Sequence, residues 1–168
     1  MIIRLAVSQD AQKIAEVHVR SWQAAYRGLL PAEYLDRLRP EDRASHYDFS
    51  HTDQQKPRTL VAEIDGLIAA FATTRPAEEA DLPGFGELCA LYASPEFWNR
   101  GVGVALVRAA RAQMLEQGFR SAALWLLKGN ERGERFYRRD GWLPDGTNKS
   151  DRLWGVDVED FRYVRQLA

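Results

Sequence analysis

The spacing of hydrophobic positions changes along the chain, and this change predicts where helices and strands lie. Apolar and aromatic side chains recur at helical spacing over residues 9–26, which predicts a helix with Ser8 as its N-cap. Two β-rich runs, residues 58–64 and 67–73, flank Asp65-Gly66, a dipeptide typical of two-residue hairpin turns. The pattern therefore predicts an N-terminal helix followed by a β-hairpin.

The other elements follow from the same two periods and from the positions of proline, glycine and capping residues. They are an edge strand (2–7), a second helix from Pro31 through residue 38, a short third helix at Pro40, a strand (87–93), a helix (102–118), a largely apolar strand (121–127), a helix capped by Asn130 and ending near residue 139, and final strands (141–143 and 159–167). The order of the main elements is β-α-α-β-β-β-α-β-α-β-β. This order predicts a mixed sheet in a single α/β or α+β domain over residues 1–168.

Composition and charge exclude several classes of protein. The 168 residues include 23 Lys and Arg against 24 Asp and Glu, a balance that argues against a nucleic-acid-binding protein. The longest apolar runs, residues 67–72 and 122–127, are far shorter than the roughly 20 residues of a membrane span. A lone cysteine, Cys89, and the lack of a signal-peptide pattern at the N-terminus make the cytoplasm the expected location.

A glycine-rich segment, Arg100-Gly101-Val102-Gly103-Val104, lies between a predicted strand and a predicted helix. Unpaired N–H groups and the helix dipole favour an anion at such a position, and phosphate is the natural candidate. A tight turn with no ligand explains the same glycines equally well. The nucleotide P-loop and the dinucleotide fingerprint are excluded, because the first needs Gly-Lys-Ser/Thr and the second needs glycine where Leu106 stands.

Four stretches together resemble the GNAT superfamily of acyl-CoA-dependent N-acyltransferases. They are the two hairpin strands, residues 87–95 (ELCALYASP), residues 98–103 (WNRGVG), and residues 130–142 (NERGERFYRRDGW). The run from His18 to Pro31 also resembles a bacterial subgroup whose substrates are mostly unassigned. The resemblance implies a GNAT-like fold, with a mostly antiparallel sheet that splays after residues 87–93.

Two residues depart from the usual pattern of the superfamily. Trp98 stands where Gln or Arg is usual, so its side chain is not expected to contact phosphate. Gly133 stands where Ala is commoner, and we expect little consequence beyond a weaker helix.

The resemblance also implies that acetyl-CoA is the co-substrate. Its pantetheine arm would pair with a bulged strand at Leu91 and Ala93, the Leu91 N–H would face the thioester oxygen, and the glycine loop would hold the diphosphate. The implied binding residues are Leu91, Tyr92, Ala93, Asn99, Arg100, Gly101, Val102, Gly103, Val104 and Asn130.

The resemblance implies catalytic roles for Tyr137 and Glu87. Tyr137 matches the general acid that protonates the CoA sulfur, and Asn130, almost two helical turns or about 10 Å earlier, lies on the same helix face. A core tyrosine and an ordinary N-cap are the structural alternatives. Glu87 matches the carboxylate that serves as general base in the histone acetyltransferase branch, and a solvated strand residue is its alternative.

The first helix presents an aromatic stripe of His18, Trp22 and Tyr26. Such stripes usually belong to the core, but this one could also form a wall that holds an amine by cation–π contact. Neither His46 nor His51 lies in an HExxH pattern, so we expect no metal.

These observations predict an N-acetyltransferase that moves the acetyl group directly to a primary amine of a small molecule. No motif activates Cys89 as a nucleophile, so no covalent intermediate is expected. The arginines at 132, 135, 138 and 139 are interpreted as a solvated helix face with pairs to Glu131 and Glu134. A protein or peptide N-acetyltransferase and a non-catalytic acyl-CoA-binding module remain alternatives, and a homodimer is possible.

Overall fold

The computed structural model describes residues 1–53, 55–153 and 155–167. Seven strands and five helices follow in the order β1 (Ile2–Leu5), α1 (Ala11–Ala25), α2 (Ala32–Arg37), α3 (Pro40–Ala44), β2 (Arg58–Ile64), β3 (Leu67–Pro76), β4 (Gly86–Ala93), α4 (Val102–Glu116), β5 (Ser121–Leu127), α5 (Glu131–Arg139), β6 (Leu143–Leu153) and β7 (Val156–Gln166). The expected mixed α/β architecture is confirmed. All the predicted strands and helices are present, and the largest differences lie at the C-terminus.

The strands form one seven-stranded sheet in the order β1-β2-β3-β4-β5-β7-β6. Every neighbouring pair is antiparallel except β4 and β5, which run parallel and pair only at Gly86 with Ala122 and at Glu87 with Ala123. Beyond those two pairs the strands separate. The expected splay after residues 87–93 is therefore present, and it opens a cleft in the middle of the sheet.

A β-bulge lies in β4 just before the cleft opens. Thr73 of β3 lies opposite Ala90, and Thr74 lies opposite Leu88, so Cys89 is an extra residue without a partner. A bulge shifts the alternation of side chains by one position. The predicted bulge in this strand is thus confirmed. It exchanges the faces to which the side chains of the second half of β4 point.

Helices cover both faces of the sheet. On one face, Leu106, Ala110 and Met114 of α4 are fully buried against the sheet, and Leu91 packs against the same cluster. On the other face, Ile14 and Val17 of α1 pack against β2 and β3, beside Ala90 and Tyr92. The two halves of the core therefore meet at β4, the strand that borders the cleft.

Local signals predicted the turns well but the first helix start poorly. Asp65 (φ 50°) and Gly66 (φ 78°) both have positive φ, as a type I′ hairpin turn requires. Ser8 is not the N-cap of α1, because it begins a short 3₁₀ turn. The Asp10 carboxylate accepts from the Val7 N–H at 2.9 Å instead, and it also binds Arg4 at 2.7 Å.

The C-terminal hairpin is much longer than the sequence predicted. β6 runs over Leu143–Leu153 rather than residues 141–143, and β7 starts at Val156 rather than at residue 159. β6 is the edge strand, its register with β7 shifts between Pro144 and Asn148, and most of its residues are polar. A polar edge strand has little alternation of apolar and polar residues, so the hydrophobic pattern did not predict the full length of β6.

Candidate active site

A cavity of about 740 Å³ occupies the cleft between β4 and β5. Strand β4 contributes Leu91, Tyr92 and Ala93 to its lining. The loop before α4 contributes Asn99 and Gly101, and the first turn of α4 contributes Val102, Gly103 and Val104. Tyr137 lines it from α5, Asn130 from the N-cap of that helix, and Tyr26 from the C-cap of α1. The structure therefore gathers most of the predicted site residues around one space. Arg100, Glu87, His18 and Trp22 are not among its lining residues.

The glycine loop presents backbone N–H groups at the start of α4. Asn99 (φ 60°) and Gly101 (φ 78°) both lie in the left-handed region, which turns the chain sharply into the helix. The Ala105 N–H donates to the Gly101 carbonyl at 3.0 Å, so the N–H groups of residues 102–104 have no partner within the helix. An anion would find three donors and the positive end of the helix dipole here.

The second glycine of the loop serves packing as well. A Cβ atom at Gly103 would lie 3.3 Å from Cε2 of Phe136 and 3.9 Å from Cδ2 of Leu91. Glycine thus allows α5 to approach α4 closely, and this approach narrows the cavity between them.

We expect Gly101→Ala to lower the free energy of unfolding by about 1–2 kcal/mol, because an L residue is strained at this φ. A distorted loop should also weaken binding of acetyl-CoA, the ligand that the resemblance implies. Gly118→Ala is the matched control, since Gly118 also has positive φ (94°) and open space but follows α4 at its other end. Urea denaturation should show similar losses for both variants, and calorimetry a weaker affinity for Gly101→Ala alone. Equal affinities would show that the loop does not bind the ligand.

Trp98 supports the loop from behind, and a cation from α5 lies on it. The Trp98 Nε1–H donates to the Ala93 carbonyl at 2.7 Å. The guanidinium carbon of Arg132 lies 3.5 Å from the centre of the indole ring. No carboxylate of a described residue lies within 4.0 Å of Arg132, which also lines the cavity. Arg132 therefore places an unneutralised positive charge beside Trp98, the position where the superfamily usually has Gln or Arg.

Sequence reasoning missed this role of Arg132. The predicted pairs are confirmed, with Arg135 to Glu131 at 3.3 Å and Arg138 to Glu134 at 2.9 Å. Arg132 has Lys128 and Phe136 at i±4, so no acid could pair with it along the helix. The lack of an acidic partner on the helix was therefore the signal in the sequence that could have set Arg132 apart from the other arginines.

Asn130 has the capping role that the sequence allowed. Its Oδ1 accepts from the Gly133 N–H at 2.9 Å, and Asn130 also lines the cavity. A Cβ at Gly133 would lie 2.8 Å from both Nδ2 of Asn130 and Cδ1 of Leu126. Both atoms are ends of side chains that can move, so the expectation of little consequence beyond a weaker helix stays a prediction.

Tyr137 is buried, with 9% of its surface exposed, and it lines the cavity. Burial raises the pKa of its phenol above the ordinary value of 10, and the charges of Tyr92 and Asp140 add to the shift. The phenol consequently keeps its proton at physiological pH. This is the protonation state that a proton donor requires.

Two other reactive groups lie near the closed end of the cleft. Glu87 is buried, and its Oε2 accepts from Nε of Arg75 at 2.8 Å. Cys89 lines the cavity, where desolvation and then the charge of Glu87 raise the pKa of its thiol. A protonated thiol is a weak nucleophile, which agrees with the expectation of direct transfer.

The aromatic stripe of α1 divides between the cavity and the core. Tyr26 lines the cavity, whereas His18 and Trp22 pack behind it. The His18 ring stacks on Tyr92 with ring centres 4.9 Å apart, and its Nδ1 lies 2.8 Å from the hydroxyl of Tyr47. His18 and Trp22 thus position the two tyrosines that border the cavity.

Burial lowers the pKa of His18 to about 3, and the positive charge of Arg43 adds to the effect. The unfolded chain binds this proton near pH 6.5, so acid stabilises the unfolded state. We expect the free energy of unfolding to fall by about 1.4 kcal/mol per pH unit below roughly pH 6.5. Urea denaturation across this range should give a shallower slope for His18→Phe, whereas His46→Gln, at an exposed position, should keep the wild-type slope. An unchanged slope in His18→Phe would contradict this origin.

Trp125 is a lining residue that the sequence did not single out. It reaches the cavity from β5, and its Nε1–H donates to Glu79 at 2.7 Å. Nζ of Lys149 lies 4.0 Å from the ring centre and 3.9 Å from Oε1 of Glu79. These contacts join residues far apart in the chain, so no local pattern could reveal them.

The described residues show neither a metal-binding cluster nor a membrane-spanning helix. No group of three or more His, Cys, Asp or Glu side chains in residues 1–53, 55–153 and 155–167 is arranged to hold a metal ion. Within the same residues, no helix combines the length and the apolar character needed to cross a membrane.

The sheet with its central cleft, the glycine loop and a protonated tyrosine are the features of an acyl-transferring enzyme. The model of the acetyltransferase (GNAT) family matches residues 13–142, and the chain belongs to this family of N-acetyltransferases. An uncharacterised N-acetyltransferase of Bacillus subtilis, YuaI, is 32% identical over 133 residues, which cover 76% of this chain and 72% of the relative.

Two further comparisons agree. A spermidine N(1)-acetyltransferase of Thermoplasma acidophilum is 25% identical over 162 residues, covering 89% of this chain and 92% of the relative. The crystal structure of the PaiA N-acetyltransferase of Thermoplasma acidophilum in complex with coenzyme A has a TM-score of 0.70 at 22% identity and covers 99% of both chains. This similarity confirms the GNAT fold.

Proposed function

We propose that the protein binds acetyl-CoA in the cleft between β4 and β5 and transfers its acetyl group to a primary amine of a small molecule. The observation that carries this proposal is the meeting of two features in one cavity. The N–H groups of residues 102–104 lie at one part of its lining, and the protonated phenol of Tyr137 lies at another. The related PaiA protein holds coenzyme A in its crystal structure.

The residues present fit the parts of acetyl-CoA. The N–H groups of residues 102–104 and the guanidinium of Arg132 would bind the diphosphate. The free edge of β4 beside Leu91 and Ala93 would pair with the pantetheine arm as an added strand, although the Ala93 carbonyl already accepts from Trp98. Asn130 lines the same cavity, and its NH₂ group would donate to the pantetheine arm. Acetyl-CoA supplies the activated acyl group and a thiolate leaving group.

Three groups of the chain then serve the transfer. The Leu91 N–H would stabilise the negative charge that develops on the carbonyl oxygen. Tyr137 would donate its proton to the departing sulfur. Glu87 would accept the amine proton through water, because its carboxylate is bound to Arg75 outside the cavity lining. A protonated Cys89 leaves direct attack by the amine as the route.

A small amine is favoured over a peptide. Residues 77–85 are fastened over the sheet by Glu79 to Trp125 and by Asp81 to Arg162, both at 2.7 Å. Tyr26, at the end of α1, lines the cavity on the same face of the sheet, and these two parts of the chain would bound the acceptor space. The similarity to a spermidine acetyltransferase supports the same class of acceptor. A protonated Tyr137 facing the cavity argues against a non-catalytic binding module.

Calorimetric titration with acetyl-CoA tests the donor site, and release of free thiol in the presence of primary amines tests the reaction. We expect saturable binding in the micromolar range and amine-dependent thiol release from the whole chain. Absence of binding by folded protein would overturn the proposal. Binding without thiol release for any amine would favour the acyl-CoA-binding module. We propose the cytoplasm as the place of this reaction, and size-exclusion chromatography of the same sample tests for a homodimer.

A further inference from the structure

Charge is distributed unevenly over the lining of the cavity. The lining residues with charged side chains are Arg132, Arg135, Arg139 and Asp140, and all four belong to α5 or to its C-cap. Among the described lining residues outside α5 and its C-cap, none has a side chain that is charged at neutral pH. The side of the cavity that the proposed function gives to the phosphates is therefore charged, and the side under α1 is not.

The uncharged side of the cavity contains three aromatic residues, Tyr26, Tyr92 and Trp125, which we call the aromatic lining. Tyr92 comes from β4, Trp125 from β5 and Tyr26 from the C-cap of α1. Tyr26 and Tyr92 pack in one cluster with Leu127. Because side chains alternate along a strand, Trp125 lies on the same face of the sheet as Leu127. Tyr92 and Trp125 therefore border the cleft from opposite sides, on the face that α1 covers.

Neighbours outside the cavity lining hold the two tyrosine rings. His18 stacks on Tyr92 with ring centres 4.9 Å apart. Trp22 meets Tyr26 edge-on, also with ring centres 4.9 Å apart. The two rings are thus positioned before a ligand arrives, so binding costs little conformational ordering.

Trp125 is also held in place, and cations of the chain already lie near its ring. Its Nε1–H donates to Glu79 at 2.7 Å. Nζ of Lys149 lies 4.0 Å from the ring centre, and the guanidinium carbon of Arg162 lies 5.7 Å from it. These cations take up the attraction that the π-system of the ring offers to positive charge. A second positive charge on the acceptor would therefore gain little beside Trp125.

The open cleft suits a flat, uncharged group. β4 and β5 pair only at Gly86 with Ala122 and at Glu87 with Ala123, so no strand pairing fills the space farther along. A charged group entering this side would lose hydration, and the lining there offers no counter-charge of either sign. An aromatic ring would instead gain from burial and from stacked or edge contacts with the aromatic lining.

We propose that the aromatic lining binds an aromatic ring of the acceptor, and that the acceptor is an arylalkylamine without a second charge. Its ring would lie among Tyr26, Tyr92 and Trp125, while the amine on its alkyl chain reaches the thioester beside Leu91. The amine nitrogen then bonds to the acetyl carbon as the carbon–sulfur bond breaks, with the two proton transfers given above. This assignment rests on the proposed function, and it narrows the acceptor from primary amines in general to arylalkylamines.

The test compares three primary amines in the thiol-release assay. Phenethylamine carries an aromatic ring, butylamine carries a short alkyl chain, and aminoethyltrimethylammonium carries a second, cationic group. We expect phenethylamine to exceed each of the other two in kcat/KM by about fivefold or more, mainly through a lower KM. The comparison uses the wild-type protein, so it does not depend on the folding of a variant. A smaller preference over either amine would overturn the assignment.

Three variants show whether the ring of Trp125 carries the preference. Trp125→Leu keeps an apolar side chain without a ring, and it should lose the preference for phenethylamine through a higher KM. Trp125→Phe also loses the hydrogen bond to Glu79 but keeps a ring, so it should keep the preference. Phe119→Leu is the matched control, because Phe119 is a half-buried ring outside the cavity lining, and it should keep the preference as well. A preference kept by Trp125→Leu or lost by Trp125→Phe would contradict the role of the ring.

Calorimetry separates this assignment from the proposed function. Titration of the CoA-bound protein with phenethylamine measures binding without turnover, and Trp125→Leu should weaken that binding by about fivefold or more. Wild-type protein that binds CoA but not phenethylamine would overturn the assignment and leave the proposed function standing. Failure of thiol release with every amine would instead overturn the proposed function, and the calorimetric result would still decide whether the aromatic lining binds a ring.

Discussion

Tyr137→Phe is expected to lower kcat by about 10²- to 10⁴-fold while leaving the affinity for acetyl-CoA unchanged. The substitution removes only the hydroxyl group, so the ring keeps its contacts with Phe136 and Trp142. Without that proton, the CoA sulfur must leave as an unprotonated thiolate. The loss should therefore fall on the chemical step, which thiol release at saturating amine measures.

Tyr163→Phe is the matched control, because Tyr163 is also buried but lies on β7 outside the cavity lining. It should keep nearly full activity. The pH profile gives a second check, since the raised pKa of Tyr137 predicts that kcat in the wild type does not fall up to about pH 10 through ionisation of this group. Full activity of Tyr137→Phe would remove the general-acid assignment.

Features that depend on neighbouring residues were predictable from the sequence. Asp65-Gly66 forms the hairpin turn because both residues tolerate positive φ. Asn130 caps α5 through the Gly133 N–H, three residues away. The glycine loop follows from Gly101 and the free N–H groups of a helix start. These signals are local, so one sequence suffices to identify them.

Features that depend on contacts across the sheet were not predictable. Trp125 becomes part of the site only because β4 separates from β5. The polar strand β6 forms because β7 pairs with it, not because of its own periodicity. The acceptor side of the site is made mostly from such contacts, whereas the donor side is made mostly from local motifs.

Trp142, just after α5, connects the proposed proton donor Tyr137 to the core. We therefore expect Trp142→Ala to lower the free energy of unfolding. Trp142 is fully buried, its Nε1–H donates to Asp140 at 3.0 Å, and its backbone N–H donates to the Tyr137 carbonyl at 3.0 Å. Truncation of such a residue leaves a cavity, so urea denaturation should show a loss of about 3–5 kcal/mol in the free energy of unfolding.

Leu143→Ala is the control for Trp142→Ala, because the adjacent leucine is 58% exposed and its truncation should change stability by less than about 0.5 kcal/mol. A loss below about 1 kcal/mol in Trp142→Ala would mean that the surrounding core closes over the space. A loss of about 3–5 kcal/mol would mean that the core does not close over the space. The indole ring, whose centre lies 6.2 Å from that of the Tyr137 ring, then helps to hold Tyr137 in place at the cavity. A partly stable variant should then also lose kcat, since a proton donor must be held within hydrogen-bond distance of the sulfur.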